Sequence, residues 1–457
     1  MLTAVLVRLP LFGVPLDPDE GGYAYIARKW AEGARLYSPA AWVDRPQGLL
    51  LAFRAVAAVS YSPGGIRMLA VVAAVSAALG AAAAAWAVAG RRAGVAAGLV
   101  ASVLLAGAFI EGYELNGEII AAAIGTWGAA LALWWRAGRI AARWLVVAGL
   151  LAAAALLVKQ SAIDSLAVVL AVAAVSAARS RALPLAVSGT AIPLGGALLW
   201  AAAVGWRAWW YAVVSFQAGV AGTLTLDGRL AATLRTARYI APDLVGVALG
   251  AAVGVAAVLR ARHAWWPAVL WAVVAMGAVL ASPFGNPHYW VQAVVPLAVL
   301  LGLAAASVSR LTAVGLVALA VAAPLAVQVH LATSPPARRA AFVVHNQTQL
   351  AAPSVAGWLR AHSRPQDTVY AFVAGAEIYL EAGRSTHYPY LWGESVVRIP
   401  GAVTRLASWL ASSGGPRYVV LYQRPAAVDP TGLLSRTLLQ HYARDATVSG
   451  YAILQRR

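Results

Sequence analysis

Residues 66–92 read IRMLAVVAAVSAALGAAAAAWAVAGRR. The run is apolar through Gly90 apart from Arg67 and Ser76, and Arg91-Arg92 closes it. About 20 apolar residues in helical form cross the hydrocarbon core of a bilayer. This stretch therefore predicts a membrane span with a basic turn after it. Similar runs lie on both sides, at 2–16, 94–110, 119–135, 144–158, 163–178, 183–204, 241–259, 265–281, 291–307 and 311–330. Together they predict a polytopic α-helical membrane protein of about 11 spans. The first run is short and interrupted by Arg8 and Pro10. It has no small-residue cleavage site, so it is expected to be a span clipped by the start of the chain rather than a signal peptide.

Composition agrees with this class. Of 457 residues 61% are hydrophobic and 11% charged, against about 25% charged in a soluble domain. Abundant alanine and glycine suit close helix packing in lipid. The net charge of +18 comes almost wholly from arginine, Lys29 and Lys159 being the only lysines. In a soluble chain that balance would suggest nucleic acid. Here the arginines sit in the turns at 91–92, 136–143, 179–181, 260–263 and 310, which contain no Asp or Glu. The positive-inside rule accounts for them, so these turns are expected in the cytoplasm and no nucleic-acid partner is expected. Every acidic residue before position 331 then falls on the opposite side. The amino end is expected inside and the carboxyl-terminal part outside. With no cysteine, disulfides, thiolate chemistry and Cys-based metal sites are excluded.

Two domains are predicted, a transmembrane domain over 1–330 and a small α/β domain over 331–457. In the second, helices are expected at 353–362, 376–383, 401–412 and 431–442, and strands at 368–374, 417–423 and 447–455. It carries thirteen arginines against six acidic residues, which suits an anionic polymer, a cover over the site, or a stabilising cap. Residues 20–34 and 47–60 read as amphipathic juxtamembrane helices. The stretch 205–240 reads as a polar connection whose Trp206, Trp209, Trp210 and Tyr211 anchor at the interface.

The chemistry concentrates in Asp17-Pro18-Asp19-Glu20-Gly21-Gly22-Tyr23 and Asp44-Arg45-Pro46-Gln47-Gly48. Carboxylates at a membrane surface can act as general bases or hold a hard cation. Asp19 also fits the N-cap of the following helix, with Glu20 in its first turn, and Asp17 fits the turn. Asp44 can equally pair with Arg45. Glu111, Glu114 and Glu118 recur at helical spacing, but Gly112 and Gly117 argue for a loop. The first two read as a solvated cluster, and Glu118 is kept as a site candidate. Lys159 lies on the acidic side against the arginine bias, which suits a bound phosphate as well as a headgroup. His288-Tyr289 suits phosphate or sugar, or an interfacial belt.

These residues resemble the GT-C glycosyltransferases, specifically the branch of protein O-mannosyltransferases and aminoarabinose lipid A transferases (glycosyltransferase 39/83, ArnT/PMT-like). The likeness covers roughly residues 1–330. Asp19-Glu20 sits where that family has the Asp-Glu pair of its first outer loop, and Asp44-Arg45-Pro46 where relatives have an acidic residue before Lys-Pro or Arg-Pro. Glu118 matches an acidic residue at the start of the fourth span, and His288-Tyr289 a His-Tyr or Arg-Tyr pair before a late span. Lys159-Gln160-Ser161 departs from the family's Thr-Lys-Gly pattern.

The resemblance implies transfer of a sugar from a polyprenyl-phosphate donor to a glycan, lipid or protein acceptor on the outer face of the membrane. Asp19 would be the general base, with Glu20 and Asp44 beside it. Arg45, Lys159, Glu118, His288 and Tyr289 would bind donor phosphate or sugar. A divalent cation (Mg²⁺, Mn²⁺ or Ca²⁺) is an optional cofactor whose ligands are not assigned. The competing reading is a transporter or flippase of a lipid-linked or small solute. Against it, polar residues gather at one face and no inverted repeat is evident.

Overall fold

The computed structural model describes residues 1–222, 225–260, 265–282 and 284–457. Arg262 and His263, read above as part of a basic turn, and Pro283 lie outside them. In chain order the helices begin with α1 (Leu2–Leu6), α2 (Pro18–Ala31), α3 (Gln47–Val59), α4 (Pro63–Leu104), α5 (Gly117–Arg136), α6 (Trp144–Leu156), α7 (Asp164–Ala174) and α8 (Arg179–Val204). There follow α9 (Trp206–Trp210), α10 (Phe216–Ala221), α11 (Leu226–Tyr239), α12 (Ala241–Arg260), α13 (Trp266–Ala281), α14 (Val291–Ser307) and α15 (Arg310–Thr333). The remainder runs α16 (Pro336–Val343), α17 (Gln347–His362), β1 (Val369–Ala371), α18 (Glu377–Ala382), α19 (Gly393–Arg398), α20 (Ala402–Ala411), β2 (Tyr418–Leu421), α21 (Pro425–Val428), α22 (Leu433–His441), β3 (Tyr442–Val448) and β4 (Tyr451–Arg456). Contacts divide the chain into two units. One holds Met1–Phe12, Arg45–Ala52 and Arg67–Pro335, and the other Gly13–Asp44, Phe53–Ile66 and Pro336–Arg457.

In the first unit, six helices among the described residues are long and apolar enough to cross a membrane: α4, α5, α8, α12, Pro287–Ser307 and α15. Helix α4 holds two of the predicted spans. Ala89 and Gly90 leave helical geometry, Gly90 with φ of 82°. Gly94 and Gly98 then lie against Ala82, so the second half turns back on the first. The predicted first, fifth, sixth and ninth spans are shorter helices. The first is a short helix and a 3-10 turn at Leu9–Leu11, broken at the interruption by Arg8 and Pro10. Arg8 is the reason. It is 2% exposed and donates to the carbonyls of Leu105 and Gly112 at 2.6 Å and of Tyr113 at 3.3 Å. The described residues of 205–240 form more than a connection, with α9, a π turn at Tyr211–Ser215, α10 and α11. Of its aromatic set, Trp209 is buried and donates to Gln47 Oε1 at 3.1 Å.

Helices of this unit meet through small residues. A Cβ at Gly189 would overlap the backbone of Val146, one at Gly149 that of Ala186, and one at Gly254 that of Leu300. Such approach is the packing available where lipid is as apolar as leucine. Charge is sorted along the bundle. Arg92 donates to the Ser309 carbonyl, Arg139 to that of Trp86, and Arg136 lies over the Trp266 ring. Within this unit Glu118, Asp164 and Asp243 begin α5, α7 and α12, at the other ends of the helices.

In the second unit, the sheet order is β1-β2-β4-β3, with β1 and β2 parallel and the other pairs antiparallel. Tyr370, Phe372, Tyr388, Val396, Leu406, Val419, Leu434 and Tyr442 pack as its core. The strand predicted at 447–455 is a hairpin. Val448 pairs with Tyr451 across Ser449 (φ 48°) and Gly450 (φ 85°). Two consecutive left-handed residues are what a tight two-residue hairpin turn requires.

Candidate active site

The first-loop carboxylates divide their labour within the second unit. Asp17, not Asp19, is the N-cap of α2. Its carboxylate accepts from the Asp19 N–H at 2.8 Å, and Glu20 reaches back to the Asp17 N–H at 3.0 Å, completing a capping box. Pro18 at the first helical position costs no hydrogen bond there. The box is worth about 1 kcal/mol for the cap alone, and it buries Glu20 to 1% exposure. Asp19 is left half-buried, accepting from the Tyr23 hydroxyl at 3.1 Å. The Tyr23 ring is held by Phe53 and Trp392, at 5.7 and 5.4 Å between centroids. Asp44, also half-buried, faces Tyr37. Burial pushes the Tyr37 phenol well above its ordinary range, and the Asp44 charge adds to that.

The first unit assembles a second group at one end of its bundle. Glu118, at the start of α5, pairs with Lys159 just beyond α6 at 2.7 Å, their side chains 1% and 15% exposed. The Lys159 ammonium lies 4.8 Å from the centre of the Tyr289 ring. His288 Nδ1 donates to Glu111 Oε2 at 2.8 Å. Lys159 is thus partnered inside the protein and not snorkelling, and His288 and Tyr289 belong to a cluster rather than a belt. Arg45 opens the segment Arg45-Pro46-Gln47-Gly48, which is fastened nearby. The Gly48 N–H donates to the Leu157 carbonyl at 3.0 Å, two residues before Lys159. A Cβ at Gly48 would lie 2.5 Å from that carbonyl oxygen. Gly48→Ala is therefore expected to cost about 1–3 kcal/mol through overpacking and to lower the melting temperature. An unchanged melting curve would show that the contact is not held.

The loop between α4 and α5 is where expectation and structure part. Glu111 and Glu114 read as solvated, yet Glu114 is 4% exposed and Glu111 adopts a left-handed φ of 53°. A non-glycine residue pays about 1 kcal/mol or more for that geometry. The loop is clamped by side chains from four other elements. Arg8 and Arg67 donate to its carbonyls at Leu105, Gly112 and Tyr113, and Gln328 donates to the Ala106 carbonyl at 2.7 Å. Asp243 accepts from the N–H groups of Phe109 and Ile110 at 2.8 and 3.0 Å. Charges inside apolar segments are costly and signal such roles, and that was the available clue to Arg8, Arg67 and Asp243. One ligand atom each of Glu111, Glu114 and His288 lies within 4.8 Å of the others. This is a donor set able to hold a divalent ion, a histidine nitrogen beside two carboxylates.

Asp164 was also missed as more than an outer-face acid. It is 7% exposed and accepts from Trp271 Nε1 and Gln292 Nε2, both at 2.6 Å. Glu118, Asp164, Ser165, Trp271 and Gln292 line a cavity of about 10 Å³, room for about one water.

No protein-family model and no curated protein sequence matches this chain. Solved structures do. The structure of ArnT from Cupriavidus metallidurans bound to undecaprenyl phosphate superposes with a TM-score of 0.68 at 14% identity, covering 99% of this chain and 96% of that one. Its apo form gives 0.67 at 14% identity, covering 98% and 95%. The Archaeoglobus fulgidus oligosaccharyltransferase in its apo form gives 0.55 at 13% identity, covering 92% of this chain and 68% of that one. The similarity runs through both units and nearly the whole chain, and with it the chain carries the GT-C fold of membrane glycosyltransferases.

Proposed function

We propose that this protein is a membrane glycosyltransferase that moves a sugar from a polyprenyl-phosphate donor to an acceptor hydroxyl, with Asp19 as general base. The observation that carries this reading is the buried Glu118–Lys159 pair beside Tyr289 and the His288–Glu111 pair, all at one end of the bundle. The fold match supports it, since ArnT was solved with undecaprenyl phosphate bound. A polyprenyl donor cannot leave the bilayer, so its phosphate must meet the protein at the interface. Cationic side chains there stabilise the charge that develops as phosphate leaves.

In this mechanism the acceptor oxygen attacks the anomeric carbon as Asp19 takes its proton. The bond from that carbon to the phosphate oxygen breaks, and the leaving polyprenyl phosphate keeps the electron pair. Lys159 and Arg45 meet its charge. Direct displacement inverts the anomeric centre. Glu20 and Asp44 are read as orienting groups. A divalent ion held by Glu111, Glu114 and His288 would supply further positive charge near the donor. The active face is read as the extracytoplasmic one, from the arginine turns at the opposite end.

The test is transfer in proteoliposomes given a labelled polyprenyl-phosphate sugar and a panel of glycan, lipid and protein acceptors. Product formation with inverted stereochemistry supports the reading. Movement of label across the bilayer without a new glycosidic bond would favour the transporter instead.

A further inference from the structure

Helix α2 carries Asp19, and two consecutive glycines interrupt it, Gly21 and Gly22. Glycine in a helix interior is unfavourable by about 1 kcal/mol against alanine, so the pair needs a reason. Here it is a close approach within the second unit. A Cβ at Gly21 would overlap the Cα of Glu377, and one at Gly22 would lie 2.6 Å from the Trp392 ring and 3.0 Å from the Ala376 Cβ. The start of α18 is thus pressed onto α2. The contact is extended by Tyr25, whose hydroxyl donates to the Thr386 carbonyl at 3.3 Å and accepts from the Thr386 N–H at 3.0 Å. The Tyr25 ring packs on that of Tyr379 at 5.0 Å.

At the centre of this contact sits a carboxyl group that no other part of the mechanism uses. Glu377 is fully buried, and neither of its side-chain oxygens takes a hydrogen bond from another of the described residues. The Tyr422 hydroxyl, close enough to Glu377 to be coupled to it electrostatically, is buried and unpartnered as well. The groups that face Glu377 are acidic or phenolic on each packed element: Asp17 at the cap of α2, Glu381 on its own helix, Tyr379, and Tyr422 after β2. Helix α17 also packs here, but its Arg360 donates to the Glu381 backbone carbonyl.

We infer that Glu377 is a positioning residue: kept as the neutral acid, it seats α18 on the Gly21-Gly22 face of α2 and so holds the helix that presents Asp19. A charged, unpaired carboxylate at full burial would be far costlier than the neutral form. In keeping with this, burial pushes the Glu377 carboxyl well above the ordinary carboxylate range. Asp17 and Glu381 push it further, and only its own backbone N–H works the other way. The sign of the pH dependence follows. Below the ordinary carboxylate range, folded and unfolded chains both hold the proton. Above it the unfolded chain sheds a proton that the seated state keeps, so the seated state loses ground as pH rises, until the folded group itself ionises.

The experiment is hydrogen exchange over residues 18–31 in the full-length protein, comparing wild type with Glu377→Gln at matched pH. At about pH 4, near the ordinary carboxylate value, the two are expected to agree within about twofold. Above that, until the seated group itself ionises, each pH unit should speed wild-type exchange relative to the variant by about tenfold. Glu377→Ala should exchange faster than wild type at about pH 4 already, through its cavity. Should the glutamine variant fold poorly, Glu377→Met provides the same comparison. A wild-type to variant ratio that does not move with pH would overturn the inference. In transfer assays, Glu377→Gln should keep the wild-type neutral rate and lack an alkaline decline that wild type shows. The link to Asp19 rests on the proposed function, but the exchange arm needs no turnover. Absence of transfer with a pH-dependent ratio defeats the proposed function alone, and a flat ratio with normal transfer defeats this inference alone.

Discussion

Asp19→Asn is expected to lower sugar transfer by about 10²- to 10⁴-fold, the range a positioned general base contributes, while changing stability by less than about 1 kcal/mol. The two effects separate because of how α2 begins. The cap and its reciprocal bond belong to Asp17 and Glu20, so removing the Asp19 charge leaves the capping box intact. Asparagine retains an oxygen that can accept from the Tyr23 hydroxyl, the bond Asp19 makes at 3.1 Å. What is lost is basicity, together with a favourable first-turn charge worth about 0.3–1 kcal/mol. Asp17→Ala provides the contrast. It should cost about 1 kcal/mol of stability and slow transfer only as far as the helix start frays. Turnover and melting temperature measured on both variants decide the matter. An Asp19→Asn protein with wild-type turnover would remove Asp19 from the chemistry.

The second large effect is expected at Lys159, and it needs a double substitution to be read. Lys159→Met alone leaves Glu118, 3% exposed, without its cation. A buried carboxylate stripped of its partner costs about 3–5 kcal/mol, so loss of activity in that variant could be loss of fold. Combining Lys159→Met with Glu118→Leu removes both members and leaves no polar group behind. Replacing both partners of a buried polar pair by apolar groups of similar shape is close to neutral. The double variant should therefore regain most of the wild-type melting temperature. If Lys159 meets the donor phosphate, transfer stays down by about 10²- to 10³-fold, the loss seen when one charge-stabilising donor is removed. Recovery of transfer together with stability would reduce the pair to a structural tie.

Comparison of these two residues shows where sequence reasoning reached and where it stopped. Asp19 could be proposed from sequence because its signal is local: a short acidic run, a proline and an amphipathic helix lie within one stretch. The choice of cap between Asp17 and Asp19 needed coordinates. Lys159 was legible as an anomaly, a lysine on the acidic side, but its partner was not. The Glu111–His288 bond joins residues 177 positions apart, and the Arg8 bonds span up to 105. No periodicity encodes such a pairing. Glu111 and Glu114 were read as solvated because a glycine-rich acidic loop ordinarily is. Arg8, Arg67, Gln328 and Asp243 reverse that by satisfying the loop's backbone from outside it. Glu377 left no mark in its own neighbourhood, and only the Gly21-Gly22 pair hinted that something must approach α2.

By itself the sequence determined the membrane class, the approximate place of most helices, the separation of arginines from carboxylates along the bundle, and the acidic start of α2. Each follows from hydrophobic run length, from charge near span ends, or from capping preference, which act over a few neighbouring residues. The tertiary structure alone decided which charges meet, which carboxyls are buried, and which glycines are close-packed. Those outcomes depend on how helices distant along the chain come to lie side by side, and burial turns such neighbours from weakly coupled surface charges into strongly coupled ones.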